Sequence, residues 1–516
     1  MSAVAARIDR RLGPQAVELG AWLRGRLSPQ ARLCSDSRAV KPGDAFFAWP
    51  GHRGDGRLHV EDARARGAAA LLVDDAPPAP QAADDLRIVH GLRGMAGEIA
   101  ASWHGEPAAR VELIAVTGTN GKTSCSQWIA QGLSRSGRRC AVIGTLGSGV
   151  LDADGVAALD SFGLTMPDAL ALHAMLARFV SEGASSVVME ASSIGLDQDR
   201  LSGAQPSVAV FTNLSRDHLD YHGTDEAYAQ AKLKLFSMPG LGAAVLNGND
   251  QLSLRAHRLL RPGCRTLAYG ERALRLAGPD VEQLLAERID EHAEGLRISI
   301  GGDFGSARVD LPLVGRFNAI NALAVAAAWI AAGLSFDESL ARLATLRPVP
   351  GRLERVAGTS GSSNLPTVIV DYAHTPDALD NALAALRPLA QARSGRLWCV
   401  FGAGGERDRG KRPLMGAAAE RGADRVVLTS DNPRTEDPAA ILAAIAAGMS
   451  SSPALIELDR AVAIAETLSR AGANDVVLIA GKGHEQTQEF ADRTLAFSDT
   501  DQVQRALARL SGARDA

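Results

Sequence analysis

Short runs of apolar residues, each followed by a polar or glycine-rich loop and a helix-like stretch, recur along most of this chain. In its middle part they are VELIAV (111–116), CAVIG (140–144), SVVME (186–190), SVAVF (207–211) and AAVLN (243–247). Short, non-alternating runs of this kind are typical of strands that are buried on both faces of a parallel sheet. The pattern predicts a central α/β domain with a mostly parallel sheet.

The same strand–loop–helix order returns in the last third of the chain. Apolar runs at TVIVD (367–371), LWCVF (397–401), VVLT (426–429) and VVLIA (476–480) each lead into a loop that is rich in charge and glycine. This order predicts a doubly wound, Rossmann-like domain. The first hundred residues alternate shorter apolar strands with helix-like stretches.

Two proline-containing segments mark the expected boundaries between domains. Pro107 follows a helix-like stretch, and LRPVPGR at 346–352 stops the next long helical region. A chain of 516 residues is too long for a single core. We therefore expect three α/β domains, at 1–106, 107–348 and 349–516.

The central domain begins with a candidate phosphate loop, TGTNGKTS. Backbone N–H groups at Gly118 and Gly121, together with the N-terminus of the next helix, form an anion cradle. Lys122 can reach the outer phosphates, and the Thr123 hydroxyl can bind Mg²⁺. Because Val116 replaces the first glycine of the full phosphate-loop motif, GKT alone would also fit a surface turn. The preceding strand and following helix favour a nucleoside triphosphate site.

Acidic and imidazole side chains follow the central strands. Glu190 ends one strand, and Asn213 and His218 follow the next. Ligands of open α/β sheets lie at the carboxyl ends of strands, so we expect Glu190 and His218 at a Mg²⁺ site. His218 is the weaker candidate, because imidazole is an unusual Mg²⁺ ligand. The alternative is a buried ion pair for Glu190 and a hydrogen-bonded loop position for His218.

Two later helices carry polar residues of interest. In EAYAQAKLKLFS, the helical period places Lys232 near the buried side and Lys234 further round. An inward lysine is costly unless it is paired, so we expect Lys232 to be used or chemically altered. Asn318 and Asn321 share one face at the start of an apolar helix. Capping is an equally weighted alternative for Asn318.

The N-terminal region offers small hydroxyls beside loop glycines. Ser35 and Ser37 lie in one turn, and WPGHRGDGR follows a short apolar strand. Hydroxyl and backbone donors of this kind suit a pyrophosphate or a uracil edge. On the residues alone, two ordinary turns built from turn-forming residues are the favoured alternative.

Composition narrows the class of protein. The formal net charge of −4 provides no basic field for nucleic acid. No apolar run reaches the length that spans a bilayer, and the N-terminus lacks the apolar segment of a signal peptide. Five scattered cysteines without a CxxC pair fit reduced thiols in the cytoplasm. Abundant Ala and Gly predict closely packed helices. These features favour a cytoplasmic protein; we also expect a monomer, which the composition itself does not indicate.

Ten motifs in series resemble those of the Mur ligase family. They are GTNGKTS, MEASS, TNLSRDHLDYHG, YAQAK, GRFNAIN, GRLE, DYAHTPDAL, FGAGGERDRGKRP, DNPRTEDP and AGKGHE. The resemblance covers nearly the whole chain and implies UDP-sugar-binding, ATP-binding and amino-acid-binding domains. It is closest to members that add meso-diaminopimelate to UDP-N-acetylmuramoyl-L-alanyl-D-glutamate in peptidoglycan synthesis. It implies ATP-driven amide formation through an acyl phosphate, with Mg²⁺.

The resemblance also implies roles for individual residues. The residues implied to bind ATP are Gly118, Thr119, Asn120, Gly121, Lys122, Thr123, Ser124, Asn318 and Arg352. Those implied to bind the UDP-sugar and its dipeptide are Ser35, Ser37, His52, Arg53, Gly54, Thr165, Met166, Ser192, Gln198 and Arg200. Those implied to bind diaminopimelate are Arg407, Asp431, Asn432, Pro433, Arg434, Gly481 and Glu485. The implied Mg²⁺ ligands are Thr123, Glu190, His218 and Lys232 as a carbamate, the last three being catalytic together with Lys122.

Two positions depart from the family pattern. Thr165-Met166 stands where two threonines are expected, so one dipeptide contact is either lost or made by the backbone. Ile194 stands where a histidine often follows the paired serines, which puts in doubt only a side-chain role there.

Arg434 is expected to select diaminopimelate over lysine. The two substrates differ by one carboxylate, and arginine binds a carboxylate through two parallel N–H bonds. The alternative is a surface ion pair of Arg434 with Glu436 or Asp437. Rival functions are a folylpolyglutamate synthetase, a small-molecule kinase and a nucleotide-gated binding protein without turnover. The first would not explain DNPR or the SDSR-bearing N-terminal region.

Overall fold

The structure, a computed structural model, describes residues 12–51, 54–75, 83–155, 159–160, 163–272, 274–292, 295–356 and 365–514. These residues form three sheets surrounded by helices, and a separate two-stranded antiparallel sheet.

The first sheet is small and entirely parallel, with strand order β1-β2-β3-β4. Its elements in chain order are α1 (Pro14–Arg24), β1 (Leu33–Cys34), β2 (Ala45–Ala48), α2 (Val60–Ala65), β3 (Ala70–Asp74), β4 (Leu86–Val89) and α3 (Leu92–Trp103).

The second sheet has ten strands in the order β14-β13-β12-β11-β10-β9-β5-β8-β6-β7. Seven neighbouring strands, from β12 to β6, are parallel, and antiparallel strands flank them on both sides. The elements are β5 (Glu112–Thr117), α4 (Lys122–Arg135), β6 (Cys140–Gly144), β7 (Gly147–Val150), α5 (Ala169–Ser181), β8 (Ser186–Glu190), α6 (Ser193–Asp197), β9 (Val208–Phe211), α7 (Leu219–His222), α8 (Asp225–Leu233), β10 (Ala243–Asn247), α9 (Gln251–Leu259), β11 (Arg265–Glu271), β12 (Val281–His292), β13 (Gly295–Gly302), β14 (Ala307–Leu311), α10 (Arg316–Ala331) and α11 (Phe336–Leu343).

Small residues let two helices approach closely over this sheet. Helix α10 is rich in alanine and buried along nearly its whole length. A Cβ at Gly132 of α4 would lie 2.0 Å from the indole of Trp329 in α10, so only glycine fits there. Trp329 Nε1 donates to the Ile129 carbonyl at 2.9 Å, which satisfies its buried N–H. This contact confirms the close helix packing expected from the composition.

The third sheet has strand order β15-β16-β20-β17-β18-β19, and all pairs except β15–β16 are parallel. The elements are β15 (Glu354–Arg355), β16 (Thr367–Asp371), α12 (Pro376–Ala392), β17 (Leu397–Phe401), α13 (Lys411–Gly422), β18 (Arg425–Thr429), α14 (Pro438–Ala446), β19 (Leu455–Glu457), α15 (Arg460–Arg470), β20 (Val476–Ala480), β21 (Thr487–Glu489), β22 (Thr494–Ala496) and α16 (Asp499–Arg514).

The predicted α/β class, the mostly parallel central sheet and the Rossmann-like last sheet are confirmed. The antiparallel β13–β14 edge was not predicted, because β14 alternates buried and exposed residues instead of forming a continuous apolar run. The expected boundaries at 106/107 and 348/349 fall between sheets and stay predictions. Among the described helices, none combines the length and apolarity needed to cross a membrane.

Candidate active site

The candidate phosphate loop joins β5 to α4 and has no space for side chains at its glycines. Gly118 has φ +151°, and a Cβ there would lie 1.8 Å from the Thr212 hydroxyl. Gly121 has φ +84°, and a Cβ there would lie 2.7 Å from Asn321 Oδ1. The conformation therefore requires glycine at both positions. Because a strand precedes the loop and a helix follows it, the surface-turn alternative is wrong.

The end of β9 holds this loop in place. Asn213 Oδ1 accepts a hydrogen bond from the Asn120 backbone N–H at 2.9 Å, and Asn213 Nδ2 donates to the Asn120 carbonyl at 3.1 Å. The Thr212 hydroxyl donates to the same carbonyl at 2.6 Å. The Thr119 N–H also donates to the Asn213 carbonyl at 2.8 Å, so the residues that follow β9 hold the loop in place at both Thr119 and Asn120.

Two lysines, the half-buried Lys122 and the fully buried Lys232, meet at one carbonyl of the loop. Lys122 Nζ donates to the carbonyls of Gly118 at 3.0 Å and Thr119 at 2.8 Å. Lys232 Nζ donates to the Gly118 carbonyl at 2.7 Å and lies 4.2 Å from the centre of the Tyr228 ring. The inward position of Lys232 and the outward position of Lys234 are confirmed.

The electrostatic setting of these lysines favours a neutral amine at Lys232. Burial, and secondarily the charge of Lys122, holds the pKa of Lys232 well below its ordinary value. Burial also lowers the pKa of Lys122, although Glu190 and Asp217 oppose that effect. Within the described chain, neither lysine forms an ion pair with a carboxylate. Both side chains therefore bond to main-chain carbonyls of the loop, and no acid of the described chain contacts either of them directly.

Glu190 lies at the end of β8, facing the start of α4, and is only 1% exposed. Its Oε2 accepts from the Thr123 hydroxyl at 3.2 Å and from the Thr145 hydroxyl at 3.1 Å, and its Oε1 accepts from the Thr145 N–H at 2.8 Å. A Cβ at Gly144 would lie 2.4 Å from Oε1, so glycine lets the carboxylate approach. In the described part of the chain Glu190 has no cationic partner, and the buried ion-pair alternative is wrong.

The donors at Thr123 and Glu190 fit a hard cation. Mg²⁺ sites typically use one or two carboxylates, with waters and substrate phosphates completing the shell. No cluster of three or more acidic, histidine or cysteine residues that could hold a metal occurs among the described residues. A Mg²⁺ ion here would therefore depend on the nucleotide for much of its coordination.

His218 adopts a positive φ of 53° just before α7. Burial lowers its pKa to about 3, so the imidazole is neutral near neutral pH. Its Nε2 lies 3.5 Å from Asp217 Oδ2. The ring is thus in a form that is able to coordinate a metal, and it lies beside an acid that also contacts the third sheet.

Residues of the third sheet and its linker close over the phosphate loop. Arg352 Nη2 donates to the Thr123 hydroxyl at 2.9 Å, and the guanidinium lies 4.2 Å from the centre of the Tyr372 ring. Asn120 Nδ2 donates to Asp377 Oδ2 at 3.0 Å. One cavity of about 410 Å³ joins both sides. The predicted residues that line it are Thr119, Asn120, Gly121, Lys122, Thr123, Ser124, Thr165, Glu190, Ser192, His218, Lys232, Asn318 and Arg352.

Asn318 lies inside the first turn of α10, not at its cap. The N-cap residue is Gly315, and Asn318 Nδ2 donates to the Val314 carbonyl at 2.8 Å. The capping alternative is therefore wrong. Asn321 Nδ2 donates to Asn318 Oδ1 at 3.3 Å, so the two amides share one face as predicted.

Two further cavities, of about 580 and 350 Å³, lie beside the first sheet, and Ser35 and Gly54 line both. Ser37 lines the larger one, whereas Gln198 and Arg200 of the central region line the smaller one. The Ser35 hydroxyl donates to Asp168 Oδ2 at 2.9 Å, which joins the two regions. The predicted His52 and Arg53 lie outside the described residues.

For Met166, the predicted outcomes are a lost dipeptide contact or a contact made by its backbone. Its side chain is fully buried, so it offers no side-chain contact to a ligand. Its carbonyl accepts from Arg200 Nη1 at 2.6 Å, and Arg200 also donates to Gln198 Oε1 at 3.1 and 2.7 Å. The Thr165 and Thr145 hydroxyl oxygens lie 3.2 Å apart.

The predicted residues of the last domain cluster at the carboxyl ends of β17, β18 and β20. A Cβ at Gly404 would lie 3.1 Å from Arg434 Nη1 and 3.5 Å from Arg407 Cγ, so both arginines flank this glycine. Arg434 Nη1 donates to the Gly405 carbonyl at 2.9 Å, and Arg434 Nε lies 2.9 Å from Glu489 Oε2. The expected alternative of an ion pair with Glu436 or Asp437 is wrong, because Glu436 pairs with Arg412 and Asp437 caps α14.

A second group ties the β18 and β20 loops together. Glu485 Oε2 accepts from Asn432 Nδ2 at 2.8 Å and from Lys482 Nζ at 2.9 Å. Lys482 is fully buried and also donates to Asn432 Oδ1 at 3.0 Å. Gly481 has φ +115°, and a Cβ there would lie 2.7 Å from Asp431 Oδ2.

Thr145, Tyr372, Asp377 and Lys482 are among the residues of these sites that were missed from the sequence. Thr145 follows the CAVIG strand directly, and Tyr372 and Asp377 belong to the DYAHTPD motif, so strand-end position could have indicated all three. Lys482 lies inside AGKGHE, where only its neighbours were singled out. Its complete burial depends on tertiary packing, for which the sequence carries no local signal.

Family comparisons agree with this arrangement. The chain matches descriptions of the Mur ligase family, catalytic domain, at 32–104, the Mur ligase middle domain at 116–329, and the Mur ligase, glutamate ligase domain, at 351–483.

Individual relatives cover almost the entire chain. A protein of Ralstonia nicotianae named UDP-N-acetylmuramoyl-L-alanyl-D-glutamate–2,6-diaminopimelate ligase is 48% identical, over 94% of this chain and 95% of its own. An Acidovorax protein of the same name is 46% identical, over 95% and 97%. A solved structure with that name superposes with a TM-score of 0.63 at 35% identity, covering 93% of this chain and 95% of its own. This chain belongs to the Mur ligase family of ATP-dependent ligases.

Proposed function

We propose that the protein joins meso-diaminopimelate to the side-chain carboxylate of the D-glutamyl residue in UDP-N-acetylmuramoyl-L-alanyl-D-glutamate. The observation that carries this proposal is the single cavity in which the phosphate loop, Glu190 and Lys232 meet Arg352 and Tyr372 of the last region. Relatives of 46–48% identity bear the corresponding name.

ATP is proposed to bind with its phosphates on the Gly118–Ser124 loop. Bound phosphate oxygens would replace the loop carbonyls as hydrogen-bond acceptors of Lys122. The Lys122 ammonium would then pair with an anion. Asn318 and Arg352, which line the same cavity, are proposed to contact the same nucleotide.

Mg²⁺ is proposed to bind at Thr123 and Glu190, with His218 and a carbamate on Lys232 as further ligands or orienting groups. When bound, the cation would neutralise charge on the phosphates and on the reacting oxygens. The neutral amine of Lys232 is the form that takes up CO₂, which would give an anionic oxygen ligand.

The UDP-sugar is proposed to occupy the two N-terminal cavities. Ser35, Ser37 and Gly54, with His52 and Arg53, are the proposed uridine and pyrophosphate contacts. Thr165, Ser192, Gln198 and Arg200 would lead the dipeptide from those cavities to the central one, with the Met166 carbonyl serving only to hold Arg200.

Diaminopimelate is proposed to bind at the cluster of Arg407, Asp431-Asn432-Pro433-Arg434, Gly481 and Glu485. The arginines would bind its carboxylates and the acids its ammonium groups. Glu485 already contacts the Lys482 ammonium, so an incoming ammonium group would share that carboxylate.

The reaction is proposed to proceed in two steps. The D-glutamyl carboxylate oxygen attacks the γ-phosphorus, which releases ADP and forms an acyl phosphate. The unprotonated amine of diaminopimelate then attacks the acyl carbon, and the tetrahedral intermediate expels phosphate as the amide forms and the amine loses its proton. Alignment and charge stabilisation carry the catalysis, and no nucleophilic side chain takes part.

The domain limits 1–106, 107–348 and 349–516 complete the proposal, each domain binding one substrate. Turnover is proposed to require movement of the last domain about the Pro348–Gly351 segment. We further propose that the protein acts as a monomer in the cytoplasm.

Phosphate release tests this function against its rivals. With ATP and the UDP-muramoyl dipeptide, we expect release only when diaminopimelate is added, and little with lysine or other diamino acids. A kinase would form ADP without an amino acid, a non-turnover binding protein would release no phosphate at all, and a folylpolyglutamate synthetase would require a folate substrate.

A further inference from the structure

The last region contains a buried cation that the proposed chemistry does not use. Arg460, the first residue of α15, is among the largest fully buried side chains of the described protein. Its Nε donates to Asp499 Oδ1 at 2.7 Å and its Nη2 to Asp499 Oδ2 at 2.8 Å, with both side chains at 0% exposure. This bidentate pair joins the first residues of α15 and α16.

The rest of the guanidinium binds the ends of two strands. Nη2 also donates to the Ala480 carbonyl at 2.9 Å, and Nη1 donates to the Ser430 carbonyl at 3.4 Å. Each carbonyl lies one peptide before a loop of the proposed diaminopimelate site, the loops beginning at Asp431 and Gly481. Arg460 therefore links both loops at their bases.

The two loops contact each other directly above this link. The Asp431 carboxylate lies close to Gly481, since a Cβ added at Gly481 would lie only 2.7 Å from Asp431 Oδ2. Lys482 joins the same loops on the ligand side through Asn432 and Glu485. A change in the separation of Ser430 and Ala480 would therefore be transmitted to Asp431 within one residue.

Electrostatics connect the buried pair to the same loops. Burial by itself would lower the pKa of Arg460, yet the pKa is raised, chiefly by Asp499 and also by Asp431 and Glu485. The cation is thus retained inside the protein by the acids of the loops as well as by its partner.

We propose that the Arg460–Asp499 pair is a positioning element for the amino-acid site, which sets the spacing of the Asp431–Arg434 and Gly481–Glu485 loops. This inference rests on the proposed function. Arg460 does not touch the substrate; it acts through the loop carbonyls. Its loss should weaken diaminopimelate binding and selection, and leave ATP binding unchanged.

The test compares Arg460→Met with Arg460→Lys. Methionine fills much of the volume but removes every hydrogen bond, whereas lysine keeps the charge and reaches part of the acceptors. Because loop displacements of about 1 Å cost up to about 10²-fold in rate, we expect the KM for diaminopimelate to rise at least about tenfold in Arg460→Met. Preference for diaminopimelate over lysine should fall as well. The KM for ATP should stay within about twofold, and Arg460→Lys should lie between wild type and Arg460→Met.

Trp398→Phe provides a matched control in the same sheet. Trp398 Nε1 donates to Asp475 Oδ2 at 2.9 Å, and this buried bond lies at the amino ends of β17 and β20, opposite the loops. Its loss should lower thermal stability without changing the KM for diaminopimelate. A purely structural role for Arg460 would make the two variants behave alike.

If Arg460→Met does not fold, amide hydrogen exchange of milder variants tests the same positioning role. In Arg460→Lys or Asp499→Asn, amide exchange should increase in 431–434 and 481–485 more than at the amino ends of the strands. An unchanged KM for diaminopimelate together with uniform exchange would overturn the positioning role while wild-type ligation continued. A wild type that ligates no diaminopimelate would instead refute the proposed function, and the inference with it.

Discussion

The phosphate loop and the amino-acid cluster (Arg407, 431–434 and 481–485) both follow buried parallel strands. Their basic side chains have different hydrogen-bond partners. Lys122 and Lys232 donate to main-chain carbonyls, and within the described chain they have no acid in direct contact. Lys482 and Arg460 instead contact the carboxylates of Glu485 and Asp499. The basic side chains at the phosphate loop, which no acid of the described chain contacts, suit the binding of an incoming anion. The ion pairs of the amino-acid cluster stabilise its loops before any ligand binds.

This difference predicts different responses to mutation. In the phosphate loop, a lost cation should remove transition-state stabilisation and leave the fold intact, because no buried acid is left behind. In the amino-acid cluster, a lost cation leaves a buried carboxylate without its partner, so selectivity and stability should change together.

The largest effect is expected for Lys122→Ala. Removing a cation aimed at transferring phosphate should lower kcat for ATP-dependent ligation by at least about 10³-fold, with the melting temperature nearly unchanged. Thr123→Ala should also abolish turnover, because it removes the hydroxyl shared by Glu190 and Arg352. Lys234→Ala, on the exposed side, is the control and should retain activity. Ligation coupled to ATP turnover at the wild-type rate in Lys122→Ala would show that Lys122 does not stabilise the transferring phosphate.

A similarly large loss is expected for Lys232→Ala, with partial recovery when small carboxylates such as formate are added. Because burial lowers the pKa of Lys232, its neutral amine exists at lower pH than that of an ordinary solvent-exposed lysine. Carbamylation should therefore persist at lower pH at Lys232 than at any exposed lysine. Mass measurement of the intact protein and crystallography check this. A bare Lys232 in fully active enzyme would disprove it.

An intermediate effect is expected for Arg434→Ala. This change removes the guanidinium fork that is proposed to bind the second carboxylate of diaminopimelate. It should lower kcat/KM for diaminopimelate by about 10²-fold and remove most of the preference for diaminopimelate over lysine. Glu489→Gln tests the support of that fork, since Glu489 contacts Arg434 Nε. Measurement of kcat/KM for both amino acids decides. Equal use of lysine by the wild type, or undiminished preference in Arg434→Ala, would refute the assignment.

The smallest effect is expected at the contact between the central and last regions of the chain, which lies outside both the phosphate loop and the amino-acid cluster. Asp217 of the central region lies 3.5 Å from Lys411 Nζ and 3.7 Å from His374 Nε2 of the last region. Asp217→Asn should lower kcat about tenfold by leaving Lys411 buried without its acid. Asp408→Asn is the control, because its partner Arg216 is half-exposed and such pairs contribute about 0–1 kcal/mol.

The pH dependence of that contact has a definite sign. Burial would raise the pKa of Asp217, but the His374 hydrogen bond and the charge of Lys411 hold it well below 3.8. The folded state therefore binds this proton less readily than the unfolded state. The stabilisation is complete above pH ~4 and is lost as the pH falls through the folded pKa. Asp217→Asn should flatten acid unfolding in this range, as followed by circular dichroism.

Sequence patterns predicted the parts of the molecule that depend on local order. Uninterrupted apolar runs located the parallel strands, and helical periodicity separated Lys232 from Lys234. They could not show that Thr145 holds Glu190, or that Arg434 contacts Glu489, because these partners lie far apart in the chain. Arg460 is the clearest case, since an arginine at a helix start is usually exposed and only tertiary packing buries it. The antiparallel edge strand β14 was missed because its alternation of buried and exposed residues is also typical of exposed segments.

The proposed chemistry requires that the phosphate loop activates a carboxylate for an amine held by the amino-acid cluster. Oxygen-18 placed in the D-glutamyl side-chain carboxylate of the UDP-muramoyl dipeptide follows that carboxylate through the reaction. We expect one labelled oxygen in each phosphate released during ligation of diaminopimelate. Release of phosphate without label during the same ligation would mean that water, and not the carboxylate, attacks ATP, and would refute activation of the carboxylate.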